Sequence, residues 1–555
     1  MKKPNQKLKV IVLSVALLIS VIQAYSQTYE WSWASGTGNE SGDYAYSIKT
    51  TENGDIYVAG SFKSASITFG DAISGDTTLY NTSAGSNDIF LVKFNSNKQL
   101  LWAICIGGND SDVASSIDIS ANGEISLGGQ FYSNVIILNN TLSLTNANPA
   151  YSNVFLIRLS VDGSILWGLS SNGSNNEVLE DLTVDIFGNT YIVGYYESLC
   201  SFGTYQLINN GYYDGFLVKV DTLGNVLNAN GFGGSLWDNC KGVTADSQGN
   251  IYITGFYRSD IVFGTNTLYN STGDAHLFVV KYNQNGIVQW VQNSTGTWEV
   301  GNEIEVDTFG NVYITGFFQG TEMAIGNLTL TNEGNAGTSD FYAIKLSDGG
   351  LPLWLNGGGG SDYEEGRDID INNQGEVYVA IYFSSPSLTI ENINIINNGA
   401  GDLLLINYHT SGVFNCLVYS GGDADDQVYS MAVNYLSKVY ICGSYASSTI
   451  SFGNSTLNNA GIADLYIAEA SDLTVGIDNS FSTELSIYPN PTNNTLFINN
   501  LPENSKIKVF DIFGKEVLNQ ENINNQIDVS GLQIGIYFMK IENKKGIFTE
   551  KFVKQ

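Results

Sequence analysis

Apolar and polar residues alternate along this chain in short runs bounded by glycine and asparagine, and one nine-residue run returns seven times. Its cleanest copy is Gly249 to Tyr257, GNIYITGFY; the others start at Gly54, Gly123, Gly188, Gly310, Gly375 and Ser437. These starts are 69, 65, 61, 61, 65 and 62 residues apart. A period of that length signals an array of one supersecondary unit. In the first full period Ser115 to Ile119 alternates, a turn at Asn122-Gly123 leads into GEISLGGQF, and VFLIRL (Val154 to Leu159) and ILWGL (Ile165 to Leu169) flank Asp162-Gly163-Ser164. Each period therefore predicts four strands joined as a meander, the unit of a β-propeller blade.

The ends of the array predict how it closes. The seventh copy keeps SKVYICGSY and Asp464 to Ala470, DLYIAEA, but lacks a fourth strand. The spare stands at the other end, where Glu30 to Ser35, EWSWAS, is similar to Leu101 onward, LWAICIGGNDSD. The expectation is an all-β, seven-bladed propeller over residues 27–471, closed by the N-terminal strand pairing into the last blade so that no edge stays open. A second alternating region, residues 484–555, holds six or seven short strands after a polar linker at 472–483, and predicts a small Ig-like β-sandwich. Residues 1–26 read as a signal peptide: Lys2, Lys3, Lys7 and Lys9 precede the apolar run Val10 to Ile22, with small residues Ala24 and Ser26 before a cut at Gln27. No later run reaches spanning length, so no transmembrane segment is expected in the mature chain.

Charge sharpens this picture. The chain carries 24 Lys and Arg against 55 Asp and Glu, for a net charge of −31. The N-terminal segment is basic and the C-terminal region is balanced, so the repeat region alone stands near −35. Nucleic acid and anionic lipid are thereby excluded as partners over most of the surface. Of five cysteines, Cys105, Cys416 and Cys442 lie in apolar strand runs and read as core residues, while Cys200 and Cys240 are placed in loops and form the one pair considered for a disulfide.

Two resemblances follow from these residues. The run Gly233-Gly234, Asp238, Val243 to Asp246 and Gly249 to Gly255 resembles the secreted β-propeller repeat family abbreviated SBBP, which implies a propeller and export but no single activity. Ile381 in the sixth copy and the missing Gly-Asn turn in the seventh depart from it. The tail resembles the type A C-terminal sorting domain of the type IX secretion system through Tyr488-Pro489-Asn490-Pro491, Gly514, Gly535 with Tyr537, and Lys551 to Lys554. That resemblance implies the secretion machinery as a partner, passage through the outer membrane, and removal of the tail with release or anchoring at the surface.

Candidate chemistry lies in the recurring acids. Asp88, Asp214, Asp340, Asp402 and Asp464 share one place in the period, with Asn153 and His276 in the remaining copies. They read as acceptors for backbone N–H groups at the entry of the third strand, with calcium as the one ion such a carboxylate series would suit; no other cofactor is expected. Asp185, Asp246, Asp307 and Asp370 form a second series read as turn chemistry. Asp368 to Asn372 starts like an EF-hand loop but lacks the later Gly and Glu. With two histidines, His276 and His409, a histidine triad or multi-histidine metal site is not expected.

Segments between second and third strands, containing Phe69-Gly70, Phe202-Gly203, Phe263-Gly264 and Phe452-Gly453, are expected as long loops. They share a face with the links at Asn109 to Asp112, Trp237 to Cys240 and Asp423 to Asp426. The function expected is an exported binding or adhesion module for a glycan or protein, with no catalytic constellation. A carboxylate-based extracellular enzyme or a structural surface component are the alternatives.

Overall fold

The computed structural model describes residues 28–71, 75–334, 337–473, 486–488, 490–499, 501, 505–511, 515–521, 525–543 and 546–555. The signal peptide and most of the 472–483 linker lie outside them. The described residues are all strand, turn and loop, and the chain divides into two compact units after Asp472.

In the first unit each period folds into a four-stranded antiparallel meander. Sheet one orders Asp43–Thr50, Ile56–Phe62, Asp88–Phe94 and Leu100–Ile106 as neighbours. Sheets two to seven repeat this, with first strands Asp112–Ile119, Glu177–Val184, Asp238–Ala245, Glu299–Val306, Glu364–Ile371 and Asp426–Val433. Sheet seven takes its outer strand from the start of the chain: Thr28–Thr37 lies beside Asp464–Leu473.

Second and third strands are apolar at nearly every position because both faces of each sheet are covered. Seven core clusters lie between consecutive sheets. One joins Val58, Phe62 and Phe90 of sheet one to Tyr440, Cys442 and Ile467 of sheet seven, so the neighbour relation returns to its start. Each fully buried Val, Leu, Ile or Phe in these layers contributes about 1.5–3 kcal/mol.

The segments expected as loops between second and third strands are instead hairpins, one per period, such as Thr449–Phe452 with Ser455–Asn458, and Cys200–Phe202 with Tyr205–Leu207, which also pairs with Ile165–Gly173 and extends sheet two to six strands. Their Phe-Gly pairs make the hairpin: Phe69, Phe202, Phe263 and Phe452 are buried, and Gly203, Gly264 and Gly453 turn the chain at φ 57°, 62° and 59°. Alternation within three-residue strands was too short to read against the glycine signal. Cys200 and Cys240 accordingly lie in strands, not loops; both are buried and unpaired, in different core clusters.

The two departures from the repeat have physical explanations. At the place of Ile381 the other sheets carry glycine, whose added Cβ would lie about 2 Å from a carbonyl oxygen of the first strand, as Gly255 would against Asn239. In sheet six the small residue has moved across the ladder: Ile381 pairs with Gly366, where the other first strands mostly carry a larger residue such as Ala45 or Cys240. In sheet seven Ser437 takes the left-handed turn at φ 59° that glycine takes elsewhere.

The second unit holds two sheets, Ser486–Tyr488, Thr495–Asn499 and Gln526–Asp528 in one, and Glu516–Glu521, Lys506–Asp511, Gly535–Asn543 and Gly546–Lys554 in the other. Leu496, Ile498, Val509, Met539 and Phe552 pack into one core between them. Among the motif residues, Tyr488 stacks on Phe497 and Tyr537 on Phe552, each at 5.6 Å. The Asn490 side chain accepts the Val553 N–H at 2.9 Å, Pro491 follows it exposed at the surface, and Gly535 opens its strand. Lys554 is buried, donating to the Gln555 carbonyl at 2.6 Å. Pro489 and Gly514 lie outside the described residues, as does the Lys551 side chain.

The N-terminal strand is bound by more than its ladder. Trp31 is 7% exposed, packs edge-on against Phe452 at 5.0 Å and donates to the Tyr419 carbonyl at 3.0 Å. Trp31→Ala is therefore expected to cost the first unit about 3–5 kcal/mol, the range for large aromatic truncations in cores. Chemical denaturation checks this; unchanged stability would mean that the strand is an ornament on a sheet complete without it.

Candidate functional site

The seven first strands converge on one cavity. Each carries a β-bulge between its third and fifth residue, as between Ala45 and Ser47 or between Asp181 and Leu179. A bulge re-aims side chains, and here it sends a column of polar residues inward: Ser47, Ser116, Asp181, Glu303, Asp368 and Ser430, with Gly242 in the fourth sheet. The part of the cavity that also holds Lys49, Asp118, Thr244, Glu305 and Asp370 measures about 250 Å³.

Most of these acids are already at work on backbone. The Ile117 N–H donates to Ser47 at 3.1 Å, Leu182 to Ser116 at 3.3 Å, Val243 to Asp181 at 2.9 Å, Met431 to Asp368 at 2.6 Å and Ile48 to Ser430 at 3.3 Å. One turn further along, Val184 and Val433 donate to Asp118 and Asp370 at 2.7 and 2.6 Å. Where Gly242 offers no acceptor, the Ile304 N–H goes to Glu303 of its own strand. Asp370 therefore does not belong with the turn acids. Its place in that series is taken by Asn372, which accepts the Gln374 and Glu376 N–H groups as Asp185, Asp246 and Asp307 accept those of their turns.

Burial raises the carboxyls of Asp181, Glu303, Glu305, Asp368 and Asp370 above the ordinary range. Burial alone would push the Lys49 ammonium down, but the fields of Asp118, Glu305, Asp368 and Asp370 outweigh it and hold the charge.

The recurring third-strand acids stand elsewhere. Asp88, Asp214, Asp340, Asp402 and Asp464 are buried at the sheet boundaries, each accepting a backbone N–H of the preceding loop at 2.6–3.1 Å. Each faces the opening acid of the next first strand: Asp88 faces Asp112, Asp214 Asp238, Asp340 Glu364, Asp402 Asp426 and Asp464 Asp43. In the fourth sheet His276 replaces the aspartate, its Nδ1 at 2.8 Å from Glu299. Asn153 donates to the Ser171 carbonyl at 3.0 Å. Burial lifts Asp112 to about 7 and Glu177 to about 8, and Asp214, Asp340 and Asp402 to about 6. Among the described residues no three His, Cys, Asp or Glu side chains are grouped to hold a metal ion.

On the face formed by the links between sheets, one of the three predicted segments opens a cleft. Tyr212, Tyr213, Trp237 and Trp298 line an opening of about 510 Å³ with Asn175 and Glu197 at its rim. Tyr213 stacks between Tyr195 at 4.6 Å and Trp237 at 6.2 Å, and Tyr212, 64% exposed, leans on Trp237 at 5.6 Å. The Arg258 guanidinium sits 4.5 Å from the Trp237 ring and 4.8 Å from that of Trp298, and its Nε donates to the Gly273 carbonyl at 2.7 Å. Trp298 holds φ 60°, a conformation costly for a large side chain and one that concentrates at ligand-contacting segments. The acids of the other two links are spent internally: Asp423 accepts the Ser448 N–H and hydroxyl, and Asp112 those of Ser133. Sequence reading reached Trp237 but not Tyr212 or Trp298, although Trp298 stands one 61-residue period after Trp237, each directly before the first residue of a first strand.

Comparison with known proteins places both units. Residues 232–255 match the family described as a β-propeller repeat, and residues 486–555 match the secretion system C-terminal sorting domain. The chain thus carries an SBBP repeat and a type IX sorting tail, which directs it to the cell surface or extracellular space and engages the secretion machinery. An uncharacterized WD repeat-containing protein, L264, of Acanthamoeba polyphaga mimivirus is 23% identical over 549 residues; the match covers 79% of this chain and 38% of that protein's length. Among solved structures, Sqt1 from Chaetomium thermophilum has a TM-score of 0.35 at 8% identity, covering 78% of this chain and 87% of that one. PorZ, a surface component of the type IX system of Porphyromonas gingivalis, has a TM-score of 0.22 at 8% identity, covering 94% of this chain and all of that one. Among the described residues no helix is long and apolar enough to cross a membrane.

The raised carboxyls fix a direction for pH dependence. A carboxyl whose folded pKa is raised binds its proton more tightly in the native state, so its stabilising share is complete below the unfolded value near 4 and is lost as pH rises through about 6 to 8. Glu469 works oppositely: burial opposes its charge, but Lys98, Ser32, Tyr440 and Lys438 hold it down at about 2, outside this window. The melting temperature of the first unit is expected to fall between pH 5 and pH 8.5. Lys49→Met is expected to cost about 2 kcal/mol at pH 8, less than a fully buried pair because Lys49 is only partly buried, and markedly less at pH 5. A flat pH profile, or an equal loss at both pH values, contradicts this reading.

Proposed function

We propose that the chain is an exported binding module: a seven-bladed β-propeller, closed by Thr28–Thr37 as the outer strand of the last blade, that holds an extracellular glycan or protein ligand in the Tyr212–Trp298 cleft without turning it over. The seven-fold period and the cyclic contact order of the sheets support the architecture. The domain division belongs to the same proposal, with residues 1–26 removed on export, 27–471 forming the propeller, and 484–555 serving as a sorting domain cleaved after passage.

The observation that carries the binding reading is the cleft itself. Exposed aromatic rings that present large rigid area at low conformational cost are enriched at binding surfaces. Of the cavity acids, by contrast, Asp118, Asp181, Asp368 and Asp370 are committed to backbone N–H groups of the next first strand, and Glu180 and Glu365 to the side chains of Asn239 with Lys241 and of Asn302 with Arg367, which are structural duties rather than those of an acid and a base.

Screening the purified first unit against polysaccharides and peptides tests the proposal. A ligand is expected whose affinity falls at least tenfold on Trp237→Ala, as for a residue worth about 2 kcal/mol at an interface centre, with no change in melting temperature. Product formation abolished by a single carboxylate substitution, or a ligand indifferent to Trp237, would refute it.

A further inference from the structure

The repeat supplies an internal reference for one more site. In sheets one, two, four and five the fourth strand carries a tryptophan opposite a basic residue of the third: Trp102 opposite Lys93, Trp167 opposite Arg158, Trp290 opposite Lys281 and Trp354 opposite Lys345. Each indole lies flat on the turn glycine of the following sheet. A Cβ added to Gly163, Gly224, Gly350 or Gly412 would meet ring atoms at 3.4, 2.9, 2.9 and 2.8 Å. Three of the indole N–H groups donate to the second residue of that turn, at the Thr222, Asp348 and Thr410 carbonyls, at 2.9, 2.8 and 3.2 Å. A tyrosine of the second strand closes the slot, 6.1–6.3 Å away in three sheets, with the lysine ammonium over its face.

Sheet three keeps every part of this slot except the tryptophan. Lys219 still sits 4.9 Å over the Tyr191 ring, and Gly286 still turns at φ 76° in the following sheet. The turn carbonyl corresponding to those acceptors is that of Gln284. Opposite Lys219, however, stands Asn228, exposed and too short to cover the glycine, 3.9 Å from the nearest point a Cβ there would reach. A cavity of about 340 Å³ is left between sheets three and four, lined by Tyr191, Leu217, Lys219, Asn228, Tyr282 and Gly286 among others. That volume lies within the range of small-molecule sites, and a cavity left by removing a side chain can take up a free aromatic molecule.

We propose that this cavity binds a small planar aromatic molecule bearing an N–H donor, of the indole class, seated where the other sheets place their own tryptophan. The ring would lie on the Gly286 turn and against Tyr191, with its N–H directed to the Gln284 carbonyl. Nothing in this site overlaps the Tyr212–Trp298 cleft, so the two readings stand or fall separately.

The test is titration of the full chain with indole by calorimetry, with indene, which has the shape and lacks the N–H, and N-acetyl-tryptophanamide, which mimics a peptide side chain, as parallel probes. Saturable binding of indole to one site is expected, with indene about tenfold weaker for the loss of one hydrogen bond. Asn228→Trp, which restores the repeat, is expected to abolish indole binding while the melting temperature stays the same or rises. Gly286→Val, which blocks the floor of the slot, gives an independent variant with the same expected loss. Absence of saturable indole binding, undiminished binding in folded Asn228→Trp protein, or binding of the tryptophanamide without free indole would overturn the proposal.

Discussion

A four-stranded sheet has an open edge at its first strand, and the N–H groups on that edge must find acceptors once the strand faces a confined cavity. Neighbouring first strands here do not pair with one another, and acceptors come from side chains. Ser47, Ser116, Asp181, Asp368 and Ser430 each take an N–H from the next first strand, the last of them reaching from sheet seven to Ile48 of sheet one. The bulge shared by all seven first strands puts these residues on the inner side. The apolar layers between sheets supply most of the stabilisation, while this stitching fixes how the first strands meet.

The same constraint accounts for the charge. A column that must accept N–H groups admits carboxylates beside hydroxyls, and a cavity lined by carboxylates needs a counter-charge, which Lys49 provides, or protonation, which burial promotes. The acid pairs at the sheet boundaries follow the same logic one layer out: each carboxyl caps a loop, and the glycine beside it, such as Gly107 against Asp88 or Gly421 against Asp402, is the residue that leaves room for the carboxylate.

What could be read from the sequence was local and periodic. The GNxYxxG strand, its turn and the four-strand rhythm are visible in single periods, and the orphan Glu30 to Ser35 could be matched to its place by likeness to Leu101 onward. The stitching column could not be read, because Ser, Asp, Gly and Glu alternate in it and only their shared geometry makes them equivalent. Asp370 was grouped with the turn acids for the same reason: it lies five residues before its glycine, where Asp185, Asp246 and Asp307 lie three before theirs. Six of the seven hairpins were hidden by strands of three or four residues. Trp298 stands one 61-residue period after Trp237, and Tyr212 one after Tyr151, so their places, like the break at Asn228, were present in the spacing and become meaningful only beside the folded cleft and the four intact tryptophan slots.

Hydrogen exchange of the first-strand amides tests this account most directly, because an N–H that lines a cavity is slow only if it is bonded. Peptides covering Ile48, Ile117, Leu182, Val243 and Met431 are predicted to exchange as slowly as the buried second strands. Exchange at the rate of the exposed turns, with the second strands still protected, would show that the side-chain acceptors do not hold the sheets together.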